Sequence, residues 1–183
     1  MGILAGGKGH RWGGRDKGLI ALKGRPLVAG LVGPCSKYVQ EVLICCRTHP
    51  HFYQHYSDRV LCEAHPDQGP CAGIIALLAS AKCESIIILP VDLIGAPEFV
   101  TKTLEDEWQQ TDTAIALYDE KGRHSPCMRL RRDVLLRCEA YFNTGGKHLA
   151  GLLEAANARP VTVPSLWLKD ANRPAVIEDQ AEA

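Results

Sequence analysis

Ser85-Ile86-Ile87-Ile88-Leu89-Pro90 is a nearly unbroken apolar run. Successive side chains of a strand point to opposite faces, so a strand buried on one face alternates apolar and polar residues. A run that is apolar throughout matches a central parallel strand buried on both faces. Around it, short apolar runs alternate with longer amphipathic ones, the signature of α/β architecture. Upstream, Ile3-Leu4-Ala5 predicts a first strand, clipped short by the start of the chain. Residues 26–35 follow as a helix, with Pro26 suited to its first turn. The β-branched and apolar stretch 39–46 predicts a strand, as does 60–62. The turn-rich segment 65–70 then leads into a helix over 72–82.

Downstream, 97–110 predicts another helix, and 113–118 and 126–130 predict strands flanking the polar turn 119–123. Helical periodicity resumes over 133–141 and 147–157, and 160–163 predicts a last strand. The polar tail 178–183 is expected to fray. With no internal repeat, low-complexity tract or linker, the expectation is one domain over 1–183. Its fold is an α/β three-layer sandwich with a mostly parallel sheet, and ligands of such sheets bind outside the carboxyl ends of the strands.

Composition sets bounds on function. The 183 residues carry 21 basic and 21 acidic side chains, with 46% apolar and 23% charged residues. That balance is ordinary for a soluble globular protein. It lacks the basic excess of nucleic-acid binders, so no nucleic-acid partner is expected and any basic site must be local. No stretch approaches the roughly 20 apolar residues of a membrane-spanning helix. The amino terminus has neither the charged nor the apolar region of a signal peptide. These observations lead to the expectation of a cytoplasmic protein without a membrane partner.

Two residue types tempt a metal reading. The eight cysteines (35, 45, 46, 62, 71, 83, 127 and 138) contain no Cys-x-x-Cys pair, and most fall in apolar segments, where a thiol acts as a small hydrophobe. They fit a reducing compartment better than a disulfide framework. His51 and His55 are spaced i, i+4, but the segment 48–56 offers no obvious third ligand, which favours a solvated short helix.

The strongest chemical signal lies directly after the first strand, from Leu4 to Gly18. Five glycines fall between positions 6 and 14 (6, 7, 9, 13 and 14), and Lys8, Arg11, Arg15 and Lys17 add cations. Glycine allows close backbone approach to a ligand, consecutive N–H groups can form an anion-binding concavity, and the cations suit phosphate oxygens. It is not a P-loop, because Gly14 is followed by Arg15-Asp16 rather than Lys-Ser/Thr. Nor is it the dinucleotide fingerprint, since Trp12 occupies the third glycine's place.

A second signal is Asp92, which follows Pro90-Val91 at the end of the apolar run. A carboxylate there suits a hard cation such as Mg²⁺ held by one or two carboxylates plus substrate phosphates, or equally an N-cap for the next turn. A third is Gly69-Pro70-Cys71-Ala72-Gly73-Ile74, whose small residues would admit a ligand near a helix N-terminus.

Together these stretches resemble the molybdenum cofactor guanylyltransferase family. The resemblance rests on Leu4-Ala5-Gly6-Gly7-Lys8-Gly9 through Arg11, Gly13-Gly14 and Asp16-Lys17-Gly18-Leu19. It continues through Gly24-Arg25-Pro26-Leu27, the 69–74 segment, and Pro90-Val91-Asp92. It implies a Rossmann-like nucleotidyltransferase fold that transfers GMP from GTP to the terminal phosphate of molybdopterin or the molybdenum cofactor, with Mg²⁺. It further implies nucleotide contacts at Leu4, Ala5, Gly6, Gly7, Lys17, Cys46, Glu63, Gly69, Gly73 and Asp92, with Asp92 holding Mg²⁺. Asp170 and Asn172, in a segment similar to the family's Asp/Asn-x-Asn-Thr-Pro, are implied on the acceptor side. Transient contact with cofactor-delivery or acceptor proteins is also implied.

The chain departs from the family pattern at Cys46, where Asn is usual, at Glu63, where Asp is usual, after Asp92, and at Arg173 in place of Thr. Its amino terminus is also shorter by several residues. The implied chemistry is attack of the acceptor's terminal phosphate on the α-phosphorus, with pyrophosphate leaving. Arg11, Lys17 and Asp92 serve it by neutralisation and alignment, and no general base is needed. The competing readings are a transferase using CTP or a sugar-phosphate acceptor, and a non-catalytic nucleotide-binding homologue.

Overall fold

The computed structural model describes residues 1–6, 13–63 and 68–171. In chain order the elements begin with β1 (Gly2–Ala5), the two-residue strands β2 (Ala21–Leu22) and β3 (Arg25–Pro26), and α1 (Leu27–Cys35). There follow β4 (Leu43–Cys46), α2 (Pro50–Tyr53), β5 (Arg59–Cys62), α3 (Pro70–Ser80), β6 (Ser85–Pro90) and α4 (Pro97–Asp106). The hairpin β7 (Ala114–Asp119) and β8 (His124–Arg131), then α5 (Leu135–Asn143), α6 (Leu149–Ala155) and β9 (Ala158–Val163), complete the fold.

One seven-stranded sheet has the order β5-β4-β1-β6-β8-β7-β9, and β2–β3 forms a separate hairpin. The four strands β5, β4, β1 and β6 are parallel neighbours. β8 is antiparallel to both β6 and β7, and β9 is parallel to β7, so β8 alone runs against the rest. The 85–90 run is therefore central as expected, with one correction: only its β1 side is parallel. The polar turn 119–123 explains the reversal. The Asp119 carboxylate accepts from Lys121 N and Arg123 N, both at 2.9 Å, closing a tight hairpin.

Two apolar layers enclose the sheet. On one face α1 and α4 pack Val28, Leu31, Val100 and Leu104 against Ile3, Ile44, Ile87 and Leu89. On the other, α3, α5 and α6 pack Ile74, Leu77, Cys138 and Leu152 against Leu43, Cys45, Ile86 and Ile88. Alternate residues of β6 thus face opposite layers, and burying each of these isoleucines and leucines contributes roughly 1.5–3 kcal/mol. This is the expected three-layer sandwich. Six of the eight thiols are buried, in keeping with their reading as small hydrophobes. No helix among the described residues is long and apolar enough to cross a membrane.

Several boundaries move for local reasons. The 39–46 strand begins only at Leu43, because a 3₁₀ turn at Ser36–Tyr38 and the polar Gln40-Glu41 precede it. The 72–82 helix begins at Pro70, a residue preorganised for a first turn. The 97–110 helix stops at Asp106. The tail at 178–183 lies outside the described residues.

After β9, the chain runs back across the carboxyl edge of the sheet. The Ser165–Leu168 3₁₀ turn leads to a bridge between Asp170 and Leu93. Ile94 N and Gly95 N donate to Lys169 O at 2.9 and 3.1 Å, and Ala96 N donates to Trp167 O at 3.1 Å. A β-carbon on Gly95 would lie 2.3 Å from Leu166 O and 2.5 Å from Trp167 O, so this crossing needs glycine. Gly95→Ala is expected to destabilise by about 1–3 kcal/mol through overpacking, seen as a fall of several degrees in Tm. An unchanged melting curve would contradict the tight crossing.

Acid sensitivity has a definable source at the far sheet edge. Asp112 is buried and receives Arg159 Nη2 at 2.8 Å and Arg159 Nε at 3.0 Å. These hydrogen bonds hold its carboxyl below the usual range. The stability it contributes is fully present above the unfolded value near pH 4 and is lost as pH falls through the lower folded value. Asp112→Asn is expected to flatten the loss of stability below about pH 4, checked by urea midpoints across that range.

Candidate active site

The register of the parallel strands brings their carboxyl ends into one row. Ala5 sits beside Cys46, Cys46 beside Cys62, and Leu4 beside Pro90. Residues that follow these strand ends therefore converge: Gly6 after β1, Arg47 after β4, Glu63 after β5 and Asp92 after β6. A β-carbon on Gly6 would stand 3.0 Å from a Glu63 carboxylate oxygen, so the two rim positions are immediate neighbours. Val91 N donates to Leu4 O at 3.0 Å and extends the β1–β6 pairing to the residue before Asp92.

Lys17 reaches this row from the glycine-rich segment. Its Nζ donates to Asp92 Oδ2, and the two side chains are only 21% and 16% exposed. Two residues 75 positions apart thus form a partly sheltered ion pair at the strand ends. The Asp92 carboxylate thus has the Lys17 ammonium as its partner at the sheet edge. Its backbone carbonyl accepts from Ala171 N at 2.9 Å, which places the 169–171 segment alongside. Asp170, paired with Leu93, stands next to Asp92 as a second carboxylate-bearing position.

The other wall is the start of α3. A β-carbon on Gly73 would lie 2.9 Å from Leu4 Cδ2, and one on Gly69 would lie 2.6 Å from Lys147 O. Neighbouring chain crowds both positions: Gly73 packs the first turns of α3 against β1, and Gly69 packs against the connection between α5 and α6.

Cys46 contributes differently from the family's Asn. Its thiol is fully buried in the α1 layer, whereas Cys45 points to the α3 layer. Burial pushes the Cys46 thiol up to about 11 and the Cys45 thiol up to about 12, so both stay protonated near neutrality. What Cys46 offers at the rim is backbone: its carbonyl accepts from Glu63 N at 2.9 Å.

The structure therefore brings together Leu4, Ala5, Gly6, Lys17, Cys46, Glu63, Gly73, Asp92 and Asp170 around one sheet edge, whereas Gly69 packs against the Lys147 carbonyl. Gly7, Arg11 and Asn172 lie outside the described residues. The 48–56 segment is a short helix, as expected, but its four residues end at Tyr53, short of His55. Tyr53 is fully buried, and its hydroxyl donates to Asp16 Oδ1. Sequence reasoning missed Tyr53, for which an aromatic residue within a polar, His-rich stretch was the available signal, and it noted Asp16 within a motif without giving it a role.

The geometry is a parallel-sheet edge with a glycine, a lysine and a carboxylate converging on it at Gly6, Lys17 and Asp92, which suits a phosphorylated ligand. A model of the MobA-like NTP transferase domain matches residues 1–161. The chain belongs to that family. A molybdenum cofactor guanylyltransferase of Pseudomonas aeruginosa is 42% identical over 159 residues, covering 84% of this chain and 71% of the relative. Another, from Pseudomonas fluorescens, is 42% identical over 98 residues, 52% of this chain and 49% of the relative. That match spans about half of the relative's length. Among solved structures, the molybdopterin-guanine dinucleotide biosynthesis protein A of Archaeoglobus fulgidus superposes with a TM-score of 0.76 at 20% identity. The match covers 99% of this chain and 96% of that one, and at that identity it speaks to the fold. This MobA-like domain thus has the Rossmann-like nucleotidyltransferase architecture expected from its sequence.

Proposed function

We propose that this MobA-like domain transfers GMP from GTP to the terminal phosphate of molybdopterin and releases pyrophosphate. The observation that carries the reading is the Lys17–Asp92 pair just beyond the carboxyl end of β6, the strand that pairs with β1. A lysine alone would suit many anions. A lysine already paired with a carboxylate at a parallel-sheet edge suits a ligand that brings both phosphate and a divalent cation. The names of the relatives support guanylyl transfer and the acceptor.

The residues fit Mg²⁺. Among the described residues there is no group of three or more His, Cys, Asp or Glu that could hold a metal on its own. Asp92 matches the pattern in which Mg²⁺ is held by one or two carboxylates and completed by substrate oxygens. Bound there, Mg²⁺ would supply neutralisation of phosphate charge. Lys17 would turn from Asp92 to the triphosphate as the nucleotide enters. An oxygen of the acceptor phosphate then forms the new bond to the α-phosphorus, and the bond from the α-phosphorus to the bridging oxygen breaks. Lys17, with Arg11, donates to the departing pyrophosphate. The nucleophile is already anionic, so this chain needs no proton acceptor.

Base choice is tested by calorimetric titration with GTP, CTP and ATP in the presence of Mg²⁺. GTP is expected to bind at least tenfold more tightly than the other two. Preference for CTP would move the chain to cytidylyl transfer, and equal binding of all three would remove the guanine assignment.

A further inference from the structure

The chain holds a buried carboxylate that the proposed chemistry does not use. Asp16 immediately precedes Lys17, and its side chain is only 4% exposed. Its Oδ1 receives the Tyr53 hydroxyl and Gly18 N, the latter at 3.2 Å. Its Oδ2 receives Thr48 Oγ1 at 3.0 Å, and His49 Nδ1 stands 3.5 Å away. The donors come from three places: the 3₁₀ turn that Asp16 itself caps, the loop after β4, and α2.

The same contacts grip the turn that carries Lys17. A β-carbon on Gly18 would lie 2.4 Å from the Tyr53 hydroxyl and 3.0 Å from Val91 Cγ2. Gly18 is therefore wedged between α2 and the residue before Asp92, and it is itself buried. Tyr53 is fully enclosed, so its hydroxyl is a fixed post rather than a mobile surface group. Burial, and then the adjacent Asp16 carboxylate, push its phenol far above the ordinary range, so it stays a proton donor.

We infer that Asp16, held by the Tyr53 and Thr48 hydroxyls, is a positioning residue that fixes where Lys17 presents its ammonium group. The inference rests on the reading of Lys17 as a phosphate-binding residue. Two physical effects support it. The hydrogen bonds fix the backbone from which Lys17 extends. They also satisfy a buried carboxylate that would otherwise compete for the nearest cation, since a buried acceptor stripped of donors is costly. Arg15 and Lys17 flank it along the chain, and Lys17 is the one held at the sheet edge. The network also ties Lys17 to Thr48 and His49, just past the carboxyl end of β4. The loop after β4 and the phosphate end of the site are thus mechanically joined.

The test is calorimetric binding of GTP with Mg²⁺, and of guanosine, to four proteins: wild type, Tyr53→Phe, Lys17→Ala and the double variant. Tyr53→Phe keeps the buried ring and removes only the hydroxyl. It is expected to weaken GTP by about tenfold, the scale of one hydrogen bond to a charged group, and to leave guanosine affinity unchanged. In the Lys17→Ala background the same substitution is expected to cost nothing further, because a residue acting through Lys17 has nothing left to position. Thr48→Val is a second, independent variant with the same direction of effect, and Thr48→Ser, which keeps a hydroxyl, is expected to retain wild-type affinity. Unchanged GTP affinity in Tyr53→Phe, equal losses for GTP and guanosine, or a full additive loss in the double variant would overturn the positioning role while leaving Lys17's own role intact. A Lys17→Ala protein that binds GTP as wild type would instead overturn the reading of Lys17, and the positioning role with it.

Discussion

Replacing Asp92 by alanine is expected to lower turnover by a factor on the order of 10³ while leaving the fold intact, a loss comparable to removing a principal stabiliser of transition-state charge. Asp92 stands beyond the last residue of β6, at the rim rather than in either apolar layer. Its structural hydrogen bond, from Ala171 N, uses the backbone carbonyl and survives the substitution. The side chain's contact is with Lys17, so what the variant loses is the anionic oxygen opposite that cation. Circular dichroism and Tm should stay close to wild type while product formation collapses. Full Mg²⁺-dependent turnover in the variant would remove Asp92 from the metal assignment.

Lys17→Ala should separate phosphate from base recognition. Its ammonium lies on the Asp92 carboxylate at the sheet edge. Exchanging that partner for the phosphates gives charge-assisted hydrogen bonds worth about 1.5–3 kcal/mol. The variant should therefore bind GTP roughly 10- to 100-fold more weakly, while guanosine affinity stays within about twofold. It also leaves Asp92 without its lysine, so Mg²⁺ should weaken less than GTP does. Equal losses for GTP and guanosine would mean that Lys17 supports the whole pocket rather than the triphosphate.

How far these residues were legible in the sequence follows from how local their signals are. The glycine-and-cation stretch after β1 is a compositional signal contained in fifteen residues, and Ser85–Pro90 declares its central place by having no polar side in its interior. The polar turn 119–123 marked the β7–β8 hairpin. It could not reveal that β8 would insert beside β6, because strand order is set by packing across the whole sheet. The Lys17–Asp92 contact had no local signature; each residue was notable alone, and only the alignment of β1 with β6 joins them. The crossing at 165–171 escaped because a 3₁₀ turn and an isolated bridge have no hydrophobic period. Tyr53 escaped because its neighbours Phe52 and His51 face outward, so a four-residue helix displays too little pattern to mark one buried position. Cys46 was visible as a departure from the family, yet the direction of its thiol, into the α1 layer, depends on the register of β4.

The most direct test of guanylyl transfer is Mg²⁺-dependent pyrophosphate release with molybdopterin-bearing cofactor as acceptor, comparing GTP, CTP and ATP side by side. Release with GTP, dependent on the acceptor and at least tenfold faster than with CTP or ATP, is the predicted result. Release with CTP in preference to GTP, or no release from any of the three by a protein that binds GTP and Mg²⁺, would contradict it.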